Sequence, residues 1–130
     1  MFALDSNTLI HALKVLGQVR RIIEGMQPSD LAVPAVVAYE LEAGTLRSRN
    51  PVLRRRELER LLSFLPILPF DLRAANRAAR VRFELEKTGE KIGPLDTLIA
   101  GTVLAYGATL VTHNTREFSR VPGLQLEDWF

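Results

Sequence analysis

The chain contains no cysteine, which excludes disulfide scaffolds and every metal site that depends on thiolate ligands. It has only two histidines, His11 and His113, so any bound metal has to be held mainly by oxygen. Aromatic residues make up 7%. With so few, recognition of a nucleic acid would rest on shape and backbone more than on a stacking platform. Long apolar runs are missing too. The richest stretches, Leu31 to Val37 and Leu98 to Tyr106, are broken by small or polar residues and fall far short of the roughly 20 residues of a membrane span. The opening Met1-Phe2-Ala3-Leu4-Asp5 puts an acid where an export signal carries basic residues and a longer apolar stretch, so a soluble, cytoplasmic protein with no membrane contact is expected. Lysine is scarce, 3 against 14 arginines within a net charge of +2. Arginine presents a planar fork suited to phosphate or carboxylate; the plainer use of these residues is on solvated helix faces, paired with glutamate at helical spacing.

What remains is ordinary globular material: 130 residues, 47% hydrophobic and 25% charged, the size and mixture of one domain spanning 1–130. Phe2 to Leu4 reads as a strand that stops at Asp5-Ser6-Asn7-Thr8, after which Leu9, Ile10, Leu13 and Leu16 recur at helical spacing. A second amphipathic piece carries Val19, Ile22, Ile23 and Met26 up to the breaker Pro28-Ser29-Asp30. Leu31 to Val33 is a short strand, and Pro34 suits the first turn of a helix ending near Gly44. Leu53, Leu58, Leu61, Leu62 and Leu65 mark a helix from Pro51 to Pro66, followed by a brief strand at Ile67-Leu68. Asp71 can cap a long helix through Lys87 that Thr88-Gly89 closes, and Gly93-Pro94 opens a helix apolar enough to demand burial. Ala108 to Val111 has the character of a buried parallel strand, and Leu124 to Leu126 that of an edge strand. Strands alternating with helices predict an α/β fold: a three-layer α/β/α arrangement around a central, mainly parallel twisted sheet. In such sheets the site lies beyond the carboxyl ends of the strands, which directs Asp5 and the loop from Thr112 to Glu117 into one crevice.

Three acids stand in otherwise apolar segments: Asp5, Glu40 and Asp96. Each has an ordinary explanation alone, as a helix cap, an exposed helix glutamate and a first-turn carboxylate favoured by the helix dipole. For Asp5 the capping explanation is weakened, because Ser6, Asn7 and Thr8 are all available for that duty. As a set, three acids brought together by the fold would repel one another unless a cation sat among them. Mg²⁺ suits such a site, since it takes oxygen ligands and keeps several waters. A metal so held turns water into a nucleophile and offsets charge on a phosphate, which is what phosphodiester hydrolysis demands. In the loop after the strand at 108–111, Asn114 and Glu117 are alternatives for completing the site. His113 is the one imidazole nearby, and a solvent-facing position is its simpler reading.

These segments, Phe2-Ala3-Leu4-Asp5-Ser6-Asn7-Thr8, Tyr39-Glu40-Leu41 with Gly44, Gly93-Pro94-Leu95-Asp96-Thr97-Leu98-Ile99-Ala100, and Leu110 through Phe118, together resemble the PIN domain of VapC-type toxins over essentially the whole chain. The resemblance implies a Mg²⁺- or Mn²⁺-dependent endoribonuclease that acts as the toxin of a type II toxin-antitoxin pair. It implies homodimerisation, inhibition by a cognate antitoxin protein, and contact with operator DNA only through that antitoxin. Carried over by position, Asp5 and Asp96 are the metal ligands, Glu40 the third acid, and Thr112 the hydroxyl beside the site. Asn7, Thr112 and Arg116 are the expected substrate-positioning residues. Many PIN domains carry aspartate where this chain has Asn114, so the fourth acidic role passes to Glu117 or is weakened. Arg73, Arg77 and Arg80 on one helix and Arg54, Arg55 and Arg56 on another are candidates for phosphate contact. A second reading is a PIN-fold partner acting mainly within a DNA-bound antitoxin-repressor complex. A third, a haloacid-dehalogenase-like phosphatase, is suggested by Asp5-Ser6-Asn7-Thr8, but Asn7 replaces the aspartate that would serve as general acid.

Overall fold

A computed structural model describes residues 1–14 and 17–130. The short apolar run at the start forms β1 (Phe2–Leu4), flanked on either side by parallel neighbours. α1 (Ser6–Lys14) and α2 (Gln18–Glu24) lead through a single 3-10 turn to β2 (Leu31–Pro34). α3 (Ala35–Leu46) and α4 (Pro51–Leu62) follow, then β3 (Ile67–Leu68), α5 (Leu72–Thr88), α6 (Pro94–Ala105), β4 (Thr109–Val111), α7 (Thr115–Phe118) and β5 (Leu126–Glu127). The sheet order is β3-β2-β1-β4-β5. Every strand pairing is parallel, so the strands' carboxyl ends share one edge of the sheet. The expected α/β fold with a parallel sheet is what the chain adopts.

Burial follows the patterning. Ala3, Leu4, Ala32, Val33, Leu110 and Val111 are fully enclosed and belong to one contiguous core cluster with side chains from α3, α5 and α6. Such strands are covered on both faces, which is why they read as continuous apolar runs rather than alternating ones. α5 turns Ala74, Ala78, Val81 and Leu85 inward and packs against α6, whose Gly101 is the point of closest approach. A Cβ at Gly101 would lie 2.5 Å from the backbone of Ala78, so only glycine lets the two helices meet there. The capping expectations hold: Oδ1 of Asp71 accepts from the N–H of Ala74 at 3.0 Å, and Gly89 ends α5 in the left-handed conformation with φ of 70°. The hydroxyl of Tyr106 donates to the other Asp71 oxygen, tying the end of α6 to the start of α5. No helix among the described residues is long and apolar enough to cross a membrane.

Several boundaries differ from the sequence expectation. Pro34 is the last residue of β2, with φ −59° and ψ 141°, so the helix begins one residue later. α3 runs past Gly44 to Leu46; nothing lies within 4 Å of a Cβ built at Gly44, so this glycine marks no turn or close contact. α4 stops at Leu62 and leaves the buried Leu65 in the connection to β3. The segment after β4 is not all loop, because Thr115 to Phe118 forms one helical turn. Met26 lies beyond α2 but still packs on the core. Leu13 is 45% exposed and does not serve the core face assigned to it, while Leu16 lies outside the described residues.

Candidate metal and nucleic-acid site

Asp5 directly follows β1, whose Leu4 is in register with Val111 of β4. The backbone N–H of Asp5 donates to the Val111 carbonyl at 3.2 Å, which fixes the aspartate beside the end of β4. Its side chain is buried, and Oδ1 accepts from the N–H of Thr8 at 2.9 Å. Asp5 is therefore the cap of α1, contrary to the expectation that its polar neighbours would relieve it of that role. The physical reason is position: Asp5 is the last residue before the helix, and a carboxylate there meets the N–H groups of the first turn. Oδ2 has no hydrogen bond among the described residues and remains available.

Ser6 and Thr8 have other tasks. The Ser6 hydroxyl donates to Oε1 of Glu40 at 2.7 Å, across 34 residues of chain, and this bond holds the α3 carboxylate against the start of α1. The buried Thr8 hydroxyl donates to the Val111 carbonyl at 3.2 Å. Asn7 is exposed at the same helix start. The contribution of Ser6 is absent from the sequence reading; its only signal there was a hydroxyl one residue after Asp5.

Asp96 lies in the first turn of α6, where the dipole and Pro94 favour it. Gly93 allows it to fold back, since a Cβ at Gly93 would stand 3.3 Å from Oδ2 of Asp96. The backbone N–H of Gly93 donates to Oε1 of Glu117 at 3.0 Å, bringing α7 to the mouth of α6. Oε2 of Glu117 in turn accepts from Nδ2 of Asn114 at 2.7 Å. Thr112 is wholly buried and its hydroxyl accepts from the N–H of Asn114 at 3.0 Å. It shapes the turn that presents Asn114. Arg116 is exposed beside that turn.

Asp5 after β1, Glu40 of α3, Asp96 of α6 and Glu117 of α7 thus come within electrostatic reach of one another at the carboxyl edge of the sheet. Asp96 registers the result: burial pushes its carboxyl from the usual 3.8 up to about 6, and the charges of Glu117, Glu40 and Asp5 push the same way in that order. Among the described residues, no group of three or more His, Asp or Glu side chains is placed so that it could hold a metal ion. An oxygen-only donor set, with the second Asp5 oxygen unbonded among the described residues, fits an ion that needs one or two direct carboxylates and keeps much of its water.

The other proposed contacts divide. Arg54 pairs with Glu57, and Arg55 with Glu42 and Glu59, on exposed surfaces, as the solvated-face reading anticipates; such pairs are worth little individually. Arg73 donates to the Ala105 carbonyl at 3.0 Å and lies over the Tyr106 ring, so its role is to pack the end of α6.

Residues 2–124 match the PIN domain family. The chain belongs to the PIN-domain family. This PIN domain is 34% identical over 128 residues to the tRNA(fMet)-specific endonuclease VapC of Salmonella typhimurium, covering 98% of this chain and 97% of that one. It is equally 34% identical over 131 residues to ribonuclease VapC2 of Rickettsia felis, covering 99% and 98%. Among solved structures, DNA-bound VapBC from Salmonella typhimurium superposes with a TM-score of 0.94 at 34% identity, over 99% of this chain and 98% of that one. VapBC2 from Rickettsia felis, bound to a DNA fragment from its promoter, gives 0.90 at 31% identity over the same shares. This PIN domain is thus of the VapC type in sequence and shape together.

Proposed function

We propose that this PIN domain, a single domain over 1–130, is a cytoplasmic endoribonuclease, the toxin of a toxin-antitoxin pair, that hydrolyses RNA phosphodiester bonds with a bound Mg²⁺ or Mn²⁺. The observation that carries the reading is the convergence of Asp5, Glu40 and Glu117 on Asp96, whose carboxyl is raised to about 6 by burial first and by those three charges next. Asp5, through its free oxygen, and Asp96 would hold the ion. When bound, a divalent cation offsets phosphate charge and acidifies water. The chain's own residues do the rest. Glu117, held by Gly93 and Asn114, takes the proton from the water whose oxygen attacks phosphorus as the P–O bond to the leaving ribose breaks. Glu40, fixed by Ser6, completes the anionic shell. Asn7 and Arg116 stand at the rim to position the RNA backbone.

The relatives named as endonuclease and ribonuclease support the activity, and the VapBC structures support an antitoxin partner. Exposed apolar side chains such as Leu72 at 76% and Phe64 at 68% offer surface for that antitoxin and for a second copy in a homodimer. A second reading, in which the protein acts chiefly within an antitoxin complex on operator DNA, draws on the DNA-bound state of both similar structures.

The test is incubation of antitoxin-free protein with structured cellular RNA, with EDTA and after restoring Mg²⁺, followed by sequencing of new 5′ ends. Cleavage that EDTA stops and Mg²⁺ restores is expected. Metal-independent cleavage would sink the mechanism, and no cleavage at all, with operator binding in the antitoxin complex, would favour the second reading.

A further inference from the structure

Beside the acidic crevice lies a pocket of about 460 Å³ lined by Asn7, His11, Lys14, His113, Asn114 and Phe130. Its character is opposite to that of the crevice. The Phe130 ring is sandwiched between two imidazoles, with centroid distances of 4.3 Å to His11 and 4.3 Å to His113 and interplanar angles of 26° and 9°. Nδ1 of His113 lies 3.0 Å from Oδ2 of Asp128, which fixes the ring's orientation while its side chain stays 61% exposed. The three rings form a stack that ends in an open imidazole face. Lys14 is exposed and makes no ion pair among the described residues. Asn7 and Asn114 stand at the border with the acid site, so the pocket adjoins the place where a bond would be cut.

A polyanion entering a crevice of four carboxylates is repelled everywhere except at the ion, so the nucleotides on either side need cationic or stacking partners. A stack of aromatic and imidazole rings serves any base, because every base has a π-face, and an unpaired lysine serves the phosphate. The pocket's volume suits a small polar ligand of nucleotide size. We propose that this pocket is a subsite for one nucleotide of single-stranded RNA next to the cleaved bond. Its base lies on the outer face of His113 and extends the His11, Phe130, His113 stack, and its phosphate is met by Lys14 and the side-chain amide of Asn7. The proposal rests on the ribonuclease reading, and it assigns a binding role to two histidines whose spacing in sequence carries no signal.

The experiment uses Asp96→Asn protein, which binds without cutting, and a short single-stranded oligoribonucleotide carrying 2-aminopurine at each position in turn, in Mg²⁺. One position should lose fluorescence on binding as its base stacks. His113→Ala should abolish that quenching and weaken binding roughly 5- to 20-fold, and His113→Phe should restore both. Lys14→Ala should weaken binding and lower the salt slope by about one counterion. Melting curves show whether each variant is folded. Unchanged quenching and affinity in folded His113→Ala and Lys14→Ala would overturn the subsite while RNA cleavage by the parent protein stood. If the parent neither cut RNA nor the Asp96→Asn form bound it, the ribonuclease reading would fall and the subsite with it.

Discussion

The side-chain amide of Asn114 donates to Oε2 of Glu117 at 2.7 Å, while Oε1 of the same carboxylate accepts from the Gly93 N–H at 3.0 Å. Both oxygens of Glu117 are oriented from different parts of the chain, one of them by Asn114. Removing such a partner costs roughly 10- to 100-fold in metal affinity or activity. Asn114→Ala should fall in that range, with a raised Mg²⁺ requirement. Glu117→Gln keeps one accepting oxygen in place of two, so it loses one of these bonds as well as the charge, and its cleavage rate should fall further than that of Asn114→Ala. The reverse order, measured on one RNA, would exchange the two roles.

Burial first, and the charges of Glu117, Glu40 and Asp5 next, make an ionised Asp96 a liability to the fold. Its folded-state pKa of about 6 lies above the ordinary 3.8, so the metal-free native state holds the extra proton between those values. Stability should therefore fall as pH rises through that window. Asp96→Asn should flatten this slope and raise the stability of EDTA-treated protein at pH 7 by about 1 kcal/mol after solvent screening, while abolishing cleavage. Thermal melts from pH 4 to 7.5 decide it: a variant less stable than the parent at pH 7 without metal contradicts a penalty on the ionised Asp96 from burial and neighbouring charge.

Glu40 depends on Ser6. Ser6→Ala removes the 2.7 Å donor to a part-buried carboxylate, a change expected to cost about 1–2 kcal/mol at most. The larger effect should be on function, as a several-fold higher Mg²⁺ concentration for half-maximal cleavage. Titration of activity against Mg²⁺ checks this, and Ser6→Thr, which retains the hydroxyl, should recover most of the loss.

The crossing of α5 and α6 admits no side chain at Gly101. Gly101→Ala places a methyl 2.5 Å from the Ala78 backbone, and relief requires the helices to part. A loss of about 1–3 kcal/mol is expected, read by urea unfolding. Because α6 carries Asp96 in its first turn, cleavage should weaken too, even in conditions where the variant remains folded.

The sequence by itself determined the alternation of strands and helices, the caps at Asp71 and Gly89, and the parallel sheet, because periodicity and capping are carried by residues a few positions apart. It also singled out Asp5, Glu40 and Asp96, since an acid inside an apolar run is visible without any fold. Only the tertiary structure decided that Asp5 caps α1 while keeping one oxygen free, that Asn114 serves Glu117, that Ser6 reaches Glu40, and that Phe130 gathers His11 and His113 into a stack. Each of those contacts depends on direction as well as distance, and side-chain direction at a strand end is set by packing between elements far apart in the chain. The glycine at 101 illustrates the same division: sequence shows only a small residue in a buried helix, and its necessity comes from the helix lying across it.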